Sequence, residues 1–379
     1  MEKLAVESAS WVNLDDRAGL FGYPERRAGC RVEQLKSPPT RFFGSSATLL
    51  MYQLLLAISV ALNFSAASAP TQPLQPADGP GGRRYGYAEV RFSDHAEAVD
   101  GFWLFEPAGA PIDTAEVVVF LHGYGGYNPM IYGGWIDHLA RQGYVVIYPR
   151  YQKDMWHPRP ARFAPNVATG VRDALAVLGE RAYAIDTSRL SIVGHSYGGV
   201  IGADLAVNWS DYQIPEPKSL FLVSPGTGPL KGGRLRDYAG LAADLHLLII
   251  TSTGDRVVGD EFGRLVYETA TRTTRRNYLV QTRDDHGQPA VTDGHNECYS
   301  INPAYDNDAM NWTSKRARRI GRTNAVDYYG YWKLYDALLD FTRDGSYAEY
   351  AFGDTPEQRS LGVWEDGTPI TPLRVEVPE

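Results

Sequence analysis

Cysteine is scarce in this sequence, which contains only Cys30 and Cys298. Two cysteines cannot form a disulfide framework, and Cys298 would stand alone if the N-terminal segment were removed from the mature protein. We therefore expect Cys298 to be a buried structural thiol. The fold must depend on a hydrophobic core, and 44% hydrophobic residues in 379 are enough for a large one.

Internal repeats and an excess of positive charge are also absent. No segment of the sequence recurs at a fixed period, which argues against a repeat architecture. The net charge of −8 gives no indication of a nucleic-acid partner. The one concentration of basic residues, between Lys315 and Arg322, is interpreted as a solvated loop or helix face.

The N-terminal part of the chain contains an apolar run, residues 48–61, that is too short for a confident membrane span. Small residues at 65–69 follow it, and together they resemble a secretory signal with cleavage after Ala67 or Ala69. This pattern predicts a secreted or periplasmic protein. The stretch ahead of the run is long for a signal, so two alternatives stay open: a later start such as Met51, or a membrane anchor at 48–61.

A G-x-S-x-G sequence at residues 194–198 is the strongest functional signal in the chain. It follows an apolar run at 190–193 and precedes a helical pattern at 199–206. A strand that turns sharply into a helix exposes the hydroxyl of the central serine, and glycines let the turn close. The context predicts that Ser196 is a nucleophile.

A glycine-rich HGYGG sequence at residues 122–126 lies upstream, after the apolar run at 116–121. When a serine attacks an ester, the carbonyl oxygen becomes negatively charged, and two backbone N–H groups can stabilise it. One such group belongs to the residue after the nucleophile, here Tyr197. We assign the other to Tyr124. An ordinary glycine-rich turn is the alternative interpretation of this loop.

A nucleophilic serine needs a histidine base and an acid that orients the histidine. Asp255 follows the buried-strand pattern at 245–250 and a glycine, which predicts a position at the same sheet edge as Ser196. Asp260 is the reserve candidate, with a solvated loop or helix-cap acid as its other interpretation.

Two histidines, His286 and His295, follow the acid, as the order serine, acid, histidine requires. His286 comes directly after the strand pattern at 278–281, whereas a catalytic histidine usually lies on a loop further from the strand. We therefore predict that His295 is the base and keep His286 as the alternative.

Strand patterns alternate with helical patterns along most of the sequence, up to a helix expected over 325–342. Such alternation predicts an α/β fold in which a mostly parallel sheet is covered by helices on both faces. The first two strands, expected at 86–92 and 101–106, would form an antiparallel edge.

These motifs resemble those of the α/β-hydrolase superfamily, and in particular secreted esterases and lipases, including polyesterases and relatives of chlorophyllase and platelet-activating-factor acetylhydrolase. The residues that carry the resemblance are the motifs HGYGG at 122–126, GHSYGG at 194–199, TGDRVV at 253–258 and DGHNE at 293–297. The resemblance implies a carboxylic-ester hydrolase that forms an acyl-enzyme and uses no metal or cofactor. Relatives of the dienelactone-hydrolase type are disfavoured because they have cysteine where this chain has Ser196.

Three segments follow from this assignment. Residues 1–69 are an extension with the secretory signal, residues 70–84 are a Pro/Gly-rich linker, and residues 85–379 are one α/β-hydrolase catalytic domain. We expect a monomer that acts on small-molecule or polymeric esters and has no stable membrane partner after signal cleavage. Tyr127 and Trp156 are candidates to line the substrate pocket, although an aromatic residue in such a position is more often an ordinary packing residue of the core or surface.

Several questions stay open at this level. Acyl length and the alcohol half of the ester are not encoded in the motifs, and residues 296–324 are long and polar enough to cover the site. The same triad could also serve an acyltransferase or a peptidase. A binding module on an inactive hydrolase scaffold is a further alternative, weakened because candidates for all three triad positions are present.

Overall fold

A nine-stranded sheet forms the centre of the structure, a computed structural model that describes residues 68–378. The strands lie in the order β1-β2-β4-β3-β5-β6-β7-β8-β9. Their bounds are β1 Glu89–His95, β2 Phe102–Ala108, β3 Thr114–Leu121, β4 Val145–Pro149, β5 Ala184–His195, β6 Ser219–Val223, β7 His246–Ser252, β8 Arg275–Gln281 and β9 Arg374–Glu376. Strands β3 to β8 pair in parallel, whereas β1 and β2 at one edge and β9 at the other are antiparallel.

Helices follow most of the parallel strands. They are α1 Gly133–Gln142, α2 Pro160–Leu178, α3 Tyr197–Val207, α4 Glu261–Thr269, α5 Trp312–Ile320, α6 Lys333–Asp344, α7 Ala348–Ala351 and α8 Pro356–Arg359. Short 3-10 helices occur at Pro129–Tyr132 and Pro303–Tyr305, and a π-helix at Asp327–Trp332 leads directly into α6. The predicted helix over 325–342 is therefore a π-helix joined to an α-helix.

Two hydrophobic cores lie on opposite faces of the sheet, and successive residues of β3 alternate between them. Val118 and Phe120 pack on the face covered by α1 and α6, and Val119 and Leu121 pack on the face covered by α2, α3 and α4. These side chains are fully buried. Burial of one such side chain stabilises a fold by about 1.5–3 kcal/mol, so strands apolar on both faces occupy the centre of the sheet. The predicted α/β fold class is confirmed.

The segment at 70–84, predicted as a linker, contains no helix or strand. It is nevertheless attached to the domain that follows it. The carbonyl of Pro70 accepts a hydrogen bond from the Gln288 N–H at 2.9 Å. The Gly81 N–H donates to the Asp336 carboxylate at 2.7 Å. The segment therefore lies along the catalytic domain rather than extending from it as a free spacer.

None of the helices within residues 68–378 is both long enough and apolar enough to span a membrane. The apolar run at 48–61, and the signal or anchor predicted there, lie outside the described residues.

Candidate active site

Ser196 occupies the turn between β5, which ends at His195, and α3, which begins at Tyr197. Its backbone has φ 56° and ψ −122°, a conformation that L-residues rarely adopt. Such a residue stores roughly 1–3 kcal/mol of strain, which the surrounding structure must offset. The turn projects the serine side chain from the carboxyl end of the sheet, as the G-x-S-x-G pattern predicts.

The glycines of this motif are required by close backbone contacts. A Cβ added to Gly194 would lie 2.5 Å from the carbonyl oxygen of Gly198. A Cβ added to Gly198 would lie 2.6 Å from the carbonyl oxygen of His122 and would overlap the carbonyl of Leu121. Helix α3 can therefore approach the end of β3 only because residue 198 has no side chain.

Ser196, His295 and Asp255 form a continuous hydrogen-bonded chain. The distance from the Ser196 Oγ to the His295 Nε2 is 2.9 Å, and that from the His295 Nδ1 to the Asp255 Oδ2 is 2.7 Å. An ionised carboxylate only accepts hydrogen bonds, so Nδ1 carries the imidazole proton and Nε2 is free to accept the serine proton. This is the tautomer that a general base requires.

The charge on Asp255 is stabilised by four interactions. Burial by itself raises the pKa of this carboxyl. The hydrogen bond and charge attraction from His295, together with the N–H groups of Val257 and Val258, lower the pKa by more than burial raises it. The net effect is a pKa below the usual value. The two N–H groups donate to Oδ1 at 2.8 and 3.1 Å, which leaves Oδ2 for the histidine.

The loops after β7 and β8 hold Asp255 and His295 next to each other. Thr253, on the first loop, donates a hydrogen bond of 2.6 Å from its Oγ1 to the carboxylate of Asp293 on the second. Gly254 is so close to Asp293 that an added Cβ would lie 2.7 Å from the Asp293 Cγ. The two loops interlock, and this contact places His295 over Asp255.

The alternative candidates lie elsewhere. The imidazole Nε2 of His286 is 2.7 Å from the carboxylate of Asp366, and the two side chains are 41% and 43% exposed. Asp260 precedes α4 as its N-cap residue, and its side chain lies 3.6 Å from Arg264. Neither residue forms a hydrogen bond to a member of the Ser196–His295–Asp255 chain.

The backbone N–H groups of Tyr124 and Tyr197, the predicted oxyanion donors, are both available. Tyr197 is the first residue of α3, where N–H groups have no intrahelical acceptor and the helix dipole favours negative charge. The Tyr124 N–H forms no hydrogen bond with any part of residues 68–378. The loop that carries it is adjacent to the nucleophile, because a Cβ added to Gly123 would lie 3.1 Å from the Ser196 Cβ.

Two contacts from separate segments hold the Tyr124 loop. The Tyr124 hydroxyl donates to the carbonyl of Met155 at 2.6 Å. The Thr313 Oγ1 donates to the carbonyl of Tyr124 at 3.0 Å. Residues 296–324, left without a role by the sequence, therefore include a helix, α5, that packs on the predicted oxyanion loop.

The two candidate pocket residues differ in their surroundings. Tyr127 is half-buried and packs against the core on the α1 face of the sheet. Trp156 is 83% exposed and follows Met155, the residue that accepts the hydrogen bond from Tyr124. Trp156 is thus the neighbour in the chain of a residue that contacts the loop of Tyr124, whereas Tyr127 contributes to packing.

A hydrogen-bond network that sequence reasoning missed joins the oxyanion loop to the base. The Tyr132 hydroxyl accepts from the Gly123 N–H at 3.0 Å and lies 2.8 Å from the His195 Nδ1. The His195 Nε2 is 2.9 Å from the main-chain carbonyl of His295. A carbonyl only accepts, so His195 Nε2 donates to it and Nδ1 accepts from the Tyr132 hydroxyl.

The protonation states of this network agree with that assignment. Burial, followed by the neighbouring His295, lowers the pKa of His195 to about 3, so its imidazole is neutral. Burial raises the pKa of Tyr132 well above its usual value, so its hydroxyl keeps its proton. His195 occupies the variable position before the serine in G-x-S-x-G, and this adjacency was the one signal in the sequence. Tyr132 lies in a 3-10 turn without a recognisable motif.

Cys298 is fully buried, and burial raises the pKa of its thiol well above the usual value. A protonated buried thiol agrees with the structural interpretation. Within residues 68–378, no three His, Cys, Asp or Glu side chains are grouped so as to hold a metal ion.

A family model described as chlorophyllase matches residues 104–237. The match covers β2 to β6, including Tyr124, Ser196 and Tyr197, and ends before Asp255 and His295. No curated protein matches the chain. The matched family indicates a hydrolase with an ester-hydrolase function. Together with the mostly parallel nine-stranded sheet, the match is consistent with the α/β-hydrolase superfamily and its fold.

Proposed function

We propose that this protein is a serine hydrolase that cleaves carboxylic esters through an acyl-enzyme, with Ser196 as nucleophile, His295 as general base and Asp255 as the orienting acid. The observation that carries the proposal is the hydrogen-bonded chain Ser196–His295–Asp255, with distances of 2.9 and 2.7 Å. The members of the chain come from three different loops, a convergence expected of a catalytic site.

In the first step the Ser196 Oγ attacks the ester carbonyl carbon while the His295 Nε2 takes the hydroxyl proton. The imidazolium formed is stabilised by the Asp255 carboxylate, which stays ionised. The carbonyl oxygen becomes an oxyanion, and the N–H groups of Tyr124 and Tyr197 donate to it. Loss of one such donor typically lowers kcat by about 10²–10³.

The tetrahedral intermediate then collapses, and His295 returns the proton to the alkoxide oxygen of the leaving alcohol. A water molecule takes the place of the alcohol, and His295 deprotonates it as its oxygen attacks the acyl carbonyl. The bond from the acyl carbon to the Ser196 Oγ then breaks, His295 returns the proton to that oxygen, and the acid is released. Each half-reaction uses the same base and the same oxyanion donors, so one arrangement of side chains serves both.

Nothing in the described residues favours the competing functions over ester hydrolysis. An inactive binding scaffold would be expected to lack a triad member, and here all three side chains are present and hydrogen-bonded. Acyl transfer and peptide hydrolysis would use the same triad. They are distinguished by product analysis, because a transferase yields a new ester or amide and a peptidase releases amine from peptides.

The location of the protein is a related proposal. We propose that it acts outside the cytoplasm, on the basis of the apolar run at 48–61 and the small residues at 65–69. N-terminal sequencing of the protein exported from its native host would give the first mature residue. A mature chain that starts at residue 68 or 70 would support the proposal, and one that retains residues 48–61 would favour an anchor.

The experiment that tests the function measures hydrolysis of nitrophenyl esters over a range of acyl lengths, with wild type and Ser196→Ala. We expect turnover by wild type and a loss of at least about a thousandfold in the variant. Circular dichroism and thermal unfolding would show that the variant is folded. A folded Ser196→Ala protein that keeps most of the activity would exclude the proposed nucleophile.

A further inference from the structure

Helix α5, beside the proposed site, concentrates positive charge in an acidic protein. Residues 309–326 contain five Lys or Arg residues and no Asp or Glu, whereas the whole chain has a net charge of −8. The exposed acid closest ahead of the helix in the chain is Asp308.

One face of α5 anchors the helix and the other faces outward. Thr313, Ser314 and Ala317 are buried, and Ser314 forms a capping box with Asn311. The opposite face carries Trp312, Lys315 and Arg319, which lie three and seven residues apart and so share one side of a helix. We call the exposed side chains of Trp312, Lys315, Arg319 and Arg322 the basic surface.

The cations of the basic surface are not neutralised by the protein. Arg318, outside this set, forms an ion pair with Asp306. Lys315, Arg319 and Arg322 make no ion pair and no side-chain hydrogen bond with any residue between 68 and 378. They are therefore available to an anionic partner.

Large apolar side chains accompany these charges. Trp312 is 64% exposed and Met310 is 58% exposed. A tryptophan is most stable where its ring meets an apolar layer and its N–H meets water. Lys and Arg near a membrane attract its anionic headgroups, and an exposed tryptophan beside them can enter the boundary between headgroups and acyl chains.

The basic surface is adjacent to the proposed site. Thr313 donates to the carbonyl of Tyr124, and the Asn311 Nδ2 donates to the carbonyl of Gly125 at 2.8 Å. Trp156, 83% exposed, follows Met155, whose Sδ is 4.0 Å from the Thr313 Oγ1. The helix that carries the basic surface on its outer face therefore packs on the oxyanion loop through its inner face.

We propose that α5 binds this protein to an anionic lipid surface, with Lys315, Arg319 and Arg322 at the headgroups and Trp312 at the boundary of the acyl chains. A small anion would require a concave site with converging donors, whereas these side chains project from the outer face of a helix. A polyanion would use the cations but would leave Trp312 and Met310 in water. A lipid surface matches both the charge and the apolar side chains.

The test is co-sedimentation of the full chain with phosphatidylcholine vesicles that contain or lack phosphatidylglycerol. The variant Lys315→Gln/Arg319→Gln/Arg322→Gln is compared with Arg83→Gln/Arg236→Gln/Arg272→Gln, a control with the same change of net charge at exposed positions. Each cation near an anionic leaflet strengthens binding about fivefold, so the α5 variant should lose at least about tenfold in partition and the control little. Trp312→Ala should also weaken binding.

Because Ser196→Ala should bind vesicles as wild type does, the result is independent of the proposed esterase activity. The α5 variant should keep its activity on a small soluble nitrophenyl ester, which would show that it is folded. Equal binding to neutral and anionic vesicles would overturn the proposal. So would equal losses in the two triple variants, or binding to soluble heparin without binding to anionic vesicles.

Discussion

At the scale of single residues, the chemistry proposed for Ser196 depends on neighbours that fix protons as well as positions. Asp255 selects the tautomer of His295, and the Tyr132 hydroxyl selects that of His195. His195 in turn donates to the main chain of His295. The base is thus held through its side chain by an acid and through its backbone by a second, neutral histidine.

The first prediction separates the two candidate bases. His295→Ala should lower kcat/KM for a nitrophenyl ester by at least about a thousandfold, because no other group in the triad can accept the Ser196 proton. His286→Ala should change kcat/KM little, because His286 pairs with Asp366 at an exposed position. The two values are compared by steady-state kinetics at one pH. The opposite order of effects would assign the base to His286.

A second prediction concerns the Tyr132 hydroxyl. Tyr132→Phe would leave the buried His195 Nδ1 and the Gly123 N–H without their partner, which typically costs about 1–3 kcal/mol. We expect kcat to fall roughly tenfold with KM nearly unchanged, because the oxyanion loop and the base lose their common support. Steady-state kinetics over a range of pH would measure both parameters.

The control for this prediction is Tyr335→Phe, which also removes a buried hydroxyl. That hydroxyl is 2.9 Å from the Ser191 Oγ and does not contact the network of His195. The Tyr335→Phe variant should have a lower free energy of unfolding than wild type but the same kcat. Equal effects of the two variants on kcat would show that Tyr132 has only a general structural role.

A third prediction concerns Asp327, a buried acid at the start of the π-helix that leads into α6. Burial raises the pKa of Asp327 well above its usual value, and its Oδ1 has no hydrogen-bond partner within residues 68–378. Folded protein therefore retains a proton that unfolded protein releases above about pH 4. The free energy of unfolding of wild type therefore falls as the pH rises from about 4 to the raised pKa of Asp327, by up to about 1.4 kcal/mol per pH unit.

Asp327→Asn removes this titration, so the stability of the variant relative to wild type should increase with pH from about 4 upward. Urea unfolding at several pH values would measure the difference. Asp211→Asn, at an exposed position, should show no such trend. A constant difference between wild type and Asp327→Asn across the pH range would contradict the proposed protonation of Asp327.

At the scale of elements, the turn from β5 to α3 depends on the absence of side chains. Gly198→Ala would place a methyl group against the carbonyls of Leu121 and His122, so the end of β3 or the start of α3 must move. We expect a loss of about 3 kcal/mol or more in the free energy of unfolding and little remaining activity. Denaturant unfolding and ester hydrolysis would measure the two effects.

Gly86→Ala is a matched control, because an added Cβ there meets no atom within 4 Å. Its stability should stay within about 0.5 kcal/mol of wild type. A Gly198→Ala protein as stable and active as Gly86→Ala would show that the turn from β5 to α3 tolerates a side chain at residue 198.

The elements that sequence reasoning predicted well are those with long apolar patterns. The runs of β3, β5 and β7 are buried on both faces, so composition alone indicates their place in the sheet. Because parallel strands end at one edge of the sheet, these runs also indicated where Ser196 and Asp255 lie. The fold was predictable to this extent.

Other elements have no sequence pattern that predicts them. Strand β9, Arg374–Glu376, has only three residues and mostly exposed side chains, so neither length nor alternation marks it. The π-helix at Asp327–Trp332 is indistinguishable in sequence from the α-helix it precedes. The sequence favoured His295 over His286 by its distance from the strand, but the contact of Thr253 with Asp293 that positions the His295 loop joins two loops and has no local signature.

At the scale of the whole molecule, the segment from Pro70 to Gly81 contacts the loop after β8 and helix α6, while the proposed site lies at the carboxyl edge of the sheet. Tyr124 follows β3, Ser196 follows β5, Asp255 follows β7 and His295 follows β8. Four of the six parallel strands therefore contribute a loop of the proposed site to the same edge, which is where α/β sheets bind their ligands. Helix α5 then adds a basic surface beside that edge.

The central claim is that Ser196 is an activated nucleophile. It is tested most directly by fluorophosphonate labelling of the folded protein, followed by mass spectrometry of the modified peptide. Our account predicts one adduct, on Ser196, which is absent in Ser196→Ala and strongly reduced in His295→Ala. An adduct on another serine, or no adduct on folded wild type, would contradict it.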